Sequence, residues 1–295
     1  MTLSGKRIAT AYLFLALPLV FFIGVRLLPM VYSLAMSATN WGLLVKHVKF
    51  VGFGNYVNIF TDDTFLRALL NTAEYAAIGT PAVIILSFIF ARELNNITKF
   101  RAAFRLVYVL PYITPIVAVS WVWRWILQPV PFGSLNAILV VLGIPAGTFL
   151  NSTKQALFSI LGVNVWVELG YCVTIFLAGM QTIPQEYVEA AKIDGAGSWT
   201  VLRKITVPLL LPVTLFLAVI EAIQFLRIFT LVYNMSTQAG GGPLNSTVSV
   251  ALYIYRTAFT KFDLGTAAAS SLVLFVIIMA VTIAQLRLFD KRLDY

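Results

Sequence analysis

Residues 186–210 read EYVEAAKIDGAGSWTVLRKITVPLL, and the stretch is out of character with the chain around it. It holds three acids, three bases and two glycines, whereas charged residues are only 11% of the 295. On either side the sequence runs apolar over long distances, and 60% of all residues are hydrophobic. A water-soluble domain stays near half apolar and about a quarter charged. The chain is therefore read as an all-α, polytopic membrane protein with one polar segment that needs its own explanation.

Crossing a bilayer core of roughly 30 Å takes about 20 apolar residues in a helix. Six runs qualify, at about 8–34, 68–91, 106–127, 156–180, 207–233 and 266–288. All of 1–295 is expected to form one transmembrane domain, with the polar loop at about 182–206 between the fourth and fifth spans. A further run, Ala137 to Leu142, is too short to span and is closed by Gly143 and Pro145. It reads as an interfacial or re-entrant element. The uncharged run Ile8 to Val25 is longer than a typical signal-peptide core of about 7–15 residues, so the first span is expected to stay in place as a helix.

Lysine and arginine near span ends set orientation. Lys6, Arg7, Arg92, Lys99, Arg101, Arg105, Lys192, Arg203, Lys204, Arg287, Lys291 and Arg292 fall in short segments on one side, twelve of the 21 bases. Seven others are spread over longer loops on the opposite side, and only Arg26 and Arg227 fall within spans. Both termini and the quoted stretch are thus expected in the cytoplasm. The formal charge of +9 is then mostly topology bias, and nucleic acid is not an expected partner. Trp121, Trp123 and Trp125 cluster beside Arg124 at the outer end of the third span, where indole rings favour the interface.

Catalytic chemistry finds little here. His47 is the only histidine, so neither a histidine-based metal site nor a Ser-His nucleophile can be assembled. Gly240-Gly241-Gly242 runs into Pro243 with no lysine, so there is no phosphate-binding loop and ATP hydrolysis must come from elsewhere. The lone Cys172 reads as a small packed hydrophobe. The chain is not expected to be an enzyme.

In the quoted stretch, Thr182-Ile-Pro-Gln185 resembles a capping box with proline in the first turn. Tyr187, Ala190, Ala191 and Asp194 then share a helical face, Gly195 and Gly197 break the helix, and Ser198 is positioned to cap a second one. Physics alone makes this a helix–turn–helix on the membrane surface, either a docking element or an amphipathic interfacial loop.

Glu189-Ala190-Ala191, three residues, Gly195, nine residues, Ile205, one residue, then Val207-Pro208 resembles the EAA loop of binding-protein-dependent ABC importer permeases. Val207 stands where that pattern has leucine. Phe50-Val-Gly-Phe-Gly-Asn-Tyr56, Ile183-Pro-Gln-Glu186, Ile193-Asp-Gly-Ala196, Gly241-Gly-Pro243 and the tract from Tyr253 to Gln285 resemble the sugar-uptake branch, relatives of the maltose transporter's membrane subunits. The resemblance implies the type I importer permease architecture in a bacterial plasma (inner) membrane. It implies a second permease subunit, two cytoplasmic ATPase subunits that bind ATP and Mg, and an extracytoplasmic solute-binding protein. The chain itself would bind no cofactor. Glu189, Ala190, Ala191, Asp194 and Gly195 would couple it to the ATPase, and the loops at 37–67 and 128–155 would meet the binding protein.

Two other classes remain open on the residues alone. An ion-coupled secondary transporter often shows inverted repeats, and none is visible here; a membrane scaffold would translocate nothing. The substrate path is sought among polar side chains inside spans, which are costly there and usually face a bundle interior or wet cavity. Asn164, Glu168 and Tyr171 share one face of the fourth span, and Glu221, Gln224 and Arg227 recur at three-residue steps in the fifth. Together they offer the hydrogen-bonding groups and aromatic surface that a carbohydrate needs. An alternative is that Glu168 or Glu221 pairs with Arg227 to hold the helices together. Finally, Gly265 and the small residues from Ala267 to Ser271 open the sixth span and are expected to pack against the partner permease or the fifth span, not lipid.

Overall fold

The structure, a computed structural model, describes residues 5–97, 101–237 and 241–293; Lys99 and residues 238–240 lie outside these. Among the described residues the only extended pairings are two isolated bridges, Thr39 with Phe50 and Gly42 with Asp263. The rest is helix and loop. The chain divides into two compact units, Met1–Asp62 with Ile254–Val273, and Asp63–Tyr253 with Leu274–Tyr295.

In the first unit, α1 (Gly5–Phe22) and α2 (Leu28–Ser37) are joined by a π-helical turn, Ile23–Leu27. The Leu28 N–H reaches back to Ile23 O, and Pro29 follows at once. Proline has no N–H to give and its ring crowds the carbonyl four residues earlier, so a widened turn just before it relieves the clash. The same pattern recurs at Leu202–Thr206, where Val207 N–H bonds to Leu202 O just ahead of Pro208. Helix α3 (Gly54–Thr61) follows the loop after α2. Asn55 Nδ2 ties the two together, donating to Ser37 O and Thr39 O, each at 2.8 Å. Gly265 approaches the same loop so closely that a Cβ there would collide with Thr39 O.

The second unit is built around a long helix, Ala156–Gln181, most of whose residues are buried. Helix α4 (Asp63–Asn96) leads to α5 (Arg101–Ile113), α6 (Ile116–Ile126), the short α7 (Ser134–Val141) and α8 (Ala156–Gln181). The polar segment follows as α9 (Gln185–Ile193), α10 (Ser198–Val201) and α11 (Val207–Leu209). Then come α12 (Leu211–Leu226), α13 (Thr230–Met235), α14 (Val250–Phe259) and α15 (Leu264–Leu293), of which Ile254–Val273 belong to the first unit. Helix α8 packs chiefly on α4 and α5, and α12 packs on α4. Gly170 makes the α8–α5 approach possible, because a Cβ at that position would strike Tyr108 O.

Two expected spans are not continuous. The third, about 106–127, is α5 and α6 bent by 97°. Pro115 has no N–H to donate and biases Thr114 away from the helical region, so the helix stops and restarts there. The fifth, about 207–233, bends by 63° at Leu210, two residues before Pro212, and stops again after Leu226. The second stop leaves the Ile228 carbonyl outside any helix, and Ser249 Oγ donates to it at 2.7 Å. Among the described residues, four helices are long and apolar enough to cross a membrane, or six if each bent pair counts as one span.

The small residues at the start of the sixth span, Gly265 to Ser270, are already buried within this chain. They are not a face held open for a second subunit.

Candidate functional site

Two regions bring the sequence-selected residues together. The first is the polar segment. Thr182 does not cap α9; its Oγ1 donates to Gly179 O at 2.8 Å and so closes the end of α8. The position ahead of α9 is Pro184, and the one ahead of α10 is Gly197, neither with a side-chain cap. Ser198 is thus the first residue of α10, not its cap. Helix α9 ends instead through backbone: Gly195 N–H reaches Lys192 O at 3.0 Å and Ala196 N–H reaches Ala191 O at 2.8 Å. Gly195 carries φ of +80°, a left-handed conformation that glycine adopts at little cost at a helix end.

The segment displays large apolar side chains among charges. Ile193, Trp199 and Tyr187 are 87%, 70% and 56% exposed. Glu189, Ala190 and Asp194 are exposed beside them and Ala191 is half-buried. Among the described residues, neither Glu189 nor Asp194 has a hydrogen-bond or ion-pair partner. Unpaired carboxylates and bare aromatics on one short turn are the composition of a contact surface.

The second region is a cavity of about 280 Å³ in the second unit. Asn164 and Glu168 from α8 and Gln224 and Arg227 from the end of α12 line it. Tyr171 lies outside the lining but stacks on a liner, Tyr112, with ring centroids 5.4 Å apart and planes 21° apart. Glu221 is fully buried and does not line the cavity. Its Oε1 takes a hydrogen bond from Cys172 Sγ at 3.1 Å, so that cysteine donates a hydrogen bond as well as packing. Its Oε2 has no partner among the described residues. Among the described residues, no ion pair joins Arg227 to Glu168 or Glu221, which removes the helix-fastening alternative. Asn164 is buried, lines the cavity and has no hydrogen-bond partner among the described residues, so its amide is free for a bound molecule.

Several liners were not singled out from the sequence. Tyr112, Thr114 and Ile116 flank the α5–α6 break, and Phe229 and Thr230 flank the α12–α13 break. The signal for the first group is Pro111 and Pro115 bracketing an intramembrane threonine, since broken spans tend to occur at binding sites. The second group has no such signal, because no proline or glycine marks its break. A larger cavity, about 390 Å³, lies among Asp63, Arg67, Thr153 and Leu244 to Ser246 and contains none of the residues selected from sequence.

The chain matches, over residues 82–295, the family described as binding-protein-dependent transport system inner membrane component. It is 34% identical to the probable ABC transporter permease protein YesP of Bacillus subtilis (strain 168), with 92% of this chain and 87% of that one covered. It is 30% identical to the trehalose/maltose transport system permease protein MalF of Thermococcus litoralis, over 91% and 89% of the two chains. Among solved structures, a bacterial alginate ABC transporter in complex with alginate pentasaccharide-bound periplasmic protein has a chain of the same fold, with a TM-score of 0.84. That likeness covers 97% of this chain and 96% of the other at 22% identity.

Proposed function

The chain belongs to the family of binding-protein-dependent transport system inner membrane components and is a membrane permease of an ABC importer, and from that premise we propose that its substrate is a carbohydrate or a close relative of one. The observation that carries this reading is the cavity in which Asn164, Glu168, Gln224 and Arg227 converge next to the stacked Tyr112 and Tyr171. A sugar presents hydroxyls on its edge and C–H groups on its face. The amides and charged groups answer the first and the tyrosine pair answers the second.

The chain forms half of the path, with a second permease subunit supplying the rest. A solute-binding protein delivers the substrate on the extracytoplasmic side, and both termini face the cytoplasm. Two cytoplasmic ATPase subunits, which bind ATP and Mg, receive the polar segment. Glu189 and Asp194 meet basic groups there, and Ala190 and Ala191 permit close approach. Gly195 sets the turn that presents Ile193 and Trp199 to a groove. Closure of the ATPases on ATP displaces this segment and the helices on either side of it, and the cavity changes the side to which it opens.

Reconstitution in liposomes with the partner permease, ATPase and binding protein tests the reading. Uptake of a labelled sugar that needs ATP and the liganded binding protein together supports it. Uptake driven by an ion gradient without the ATPase overturns it.

A further inference from the structure

The segment between α2 and α3 combines cations with exposed apolar side chains. From Ala38 to Thr61 there is no acid, and the cations Lys46 and Lys49 stand with His47 in a run that is otherwise mostly apolar. The apolar side chains do not turn inward: Leu44, Phe50 and Phe53 are 84%, 80% and 80% exposed, and Leu43 and Val48 are exposed as well. Nor is the segment loose. Lys49 N–H bonds to Asn40 Oδ1 at 2.6 Å, Leu43 N–H to Phe262 O at 3.1 Å and Gly265 N–H to Trp41 O at 2.8 Å. A fixed backbone therefore holds an apolar surface outward with cations beside it.

Its position says what that surface meets. It follows directly on Thr10–Ser37, a span-length apolar helix exposed at every residue from Thr10 to Tyr32. Tyr32 and Trp41, edge to face with ring centroids 5.4 Å apart, place an aromatic pair where the helix leaves the bilayer. Arg26 lies six residues below Tyr32, about 9 Å along the axis, in the π-helical turn. It is exposed and has no partner among the described residues. An arginine at that depth extends toward the headgroup level, where its guanidinium meets phosphate.

We propose that residues 41–53, with Arg26 beneath them, form an interfacial anchor that binds anionic phospholipid. Leu43, Leu44, Phe50 and Phe53 enter the acyl boundary while Lys46, Lys49 and Arg26 hold headgroup phosphates. The proposal rests on reading residues 10–37 as a membrane span but not on the identity of the substrate. A docked solute-binding protein is the competing occupant. The acid-free charge fits a phosphate surface, and large apolar tips that a soluble partner covers only intermittently would otherwise stand in water.

The test places a bimane fluorophore at Leu44→Cys in the full chain, assembled with its partner subunits in nanodiscs of phosphatidylglycerol and phosphatidylcholine. Wild type, whose Cys172 is buried, serves as the labelling control. Quenching by brominated lipid and protection from iodide are expected. The Lys46→Gln/Lys49→Gln variant should lose preference for phosphatidylglycerol over phosphatidylcholine by on the order of tenfold, read as lipid retained in native mass spectrometry. If Leu44→Cys does not assemble, the same label at Phe53→Cys gives the same reading. A label quenched by iodide alone, or shielded only when the binding protein is added, overturns the proposal, as does equal retention of the two lipids by wild type. Sugar uptake is scored separately, so failure of the substrate reading leaves this result standing.

Discussion

Cys172 Sγ donates to Glu221 Oε1 across 3.1 Å, joining α8 to α12 inside the membrane-spanning body. The carboxyl group is fully buried, its second oxygen has no partner, and no cation pairs with it among the described residues. The thiol is therefore the one hydrogen-bonding group that the side chain meets among the described residues. Cys172→Ala leaves both oxygens unsatisfied and should lower stability by about 1–3 kcal/mol. Cys172→Ser keeps a donor and should recover most of the loss. Thermal unfolding of the purified complex measures both; equal midpoints for the alanine and serine variants would show that the bond contributes nothing.

The cavity gives a transport prediction. Asn164→Ala and Gln224→Ala each remove a hydrogen-bonding group that faces the cavity, and Tyr171→Ala removes the ring that supports Tyr112. Each should lower uptake by on the order of tenfold, the effect of about 1.4 kcal/mol, with the complex still assembled and its ATPase active. Arg227→Gln should leave assembly intact, because no ion pair is lost. Loss of folded complex in these variants would mean that the residues are packing, and unchanged uptake would put the path elsewhere.

For the coupling segment, Gly195→Pro fixes φ near −65° where the backbone needs +80°, and it deletes the N–H that reaches Lys192 O. Glu189→Lys reverses a charge on an exposed face and disturbs no partner within the described residues. Both proteins should insert in the membrane at wild-type level while uptake falls to background and ATP hydrolysis no longer follows the liganded binding protein. Wild-type uptake by both, at equal protein level, would remove the segment from the coupling path.

Packing at the start of α15 supplies a stability prediction. Ala268 is 7% exposed and Ala269 is fully buried. Leucine at either position overfills a closed site and should cost about 1–3 kcal/mol. The loss should appear in this subunit's own unfolding and protease resistance before any loss of the partner permease. Selective dissociation of the partner from an otherwise stable chain would instead mark a subunit interface.

What the sequence alone determined is what local chemistry determines. Long apolar runs call for helices that satisfy their own backbone in lipid. The polar stretch that follows α8 was legible because charge, glycine and proline sit there at fixed offsets, and because a helix needs a left-handed residue such as Gly195 to end sharply. The pairing of Asn164 with Glu168 on one face is likewise a consequence of helical period, four residues apart on α8.

Tertiary structure decided the rest, because the deciding partners are distant in sequence. Nothing near Cys172 announces Glu221, 49 residues away. Nor does anything near Tyr171 announce Tyr112, which reaches it only because α5 lies against α8 at Gly170. Thr182 has the residue pattern of a cap for the helix after it, yet the Gly179 carbonyl one turn back is closer and takes its hydroxyl. The break after Leu226 carries no local signal, since the buried Ile228 carbonyl it frees is satisfied by Ser249, the residue ahead of α14. A residue's own type and spacing fix which helix it joins and which face it shares; which unpaired group it meets is fixed only when the helices pack.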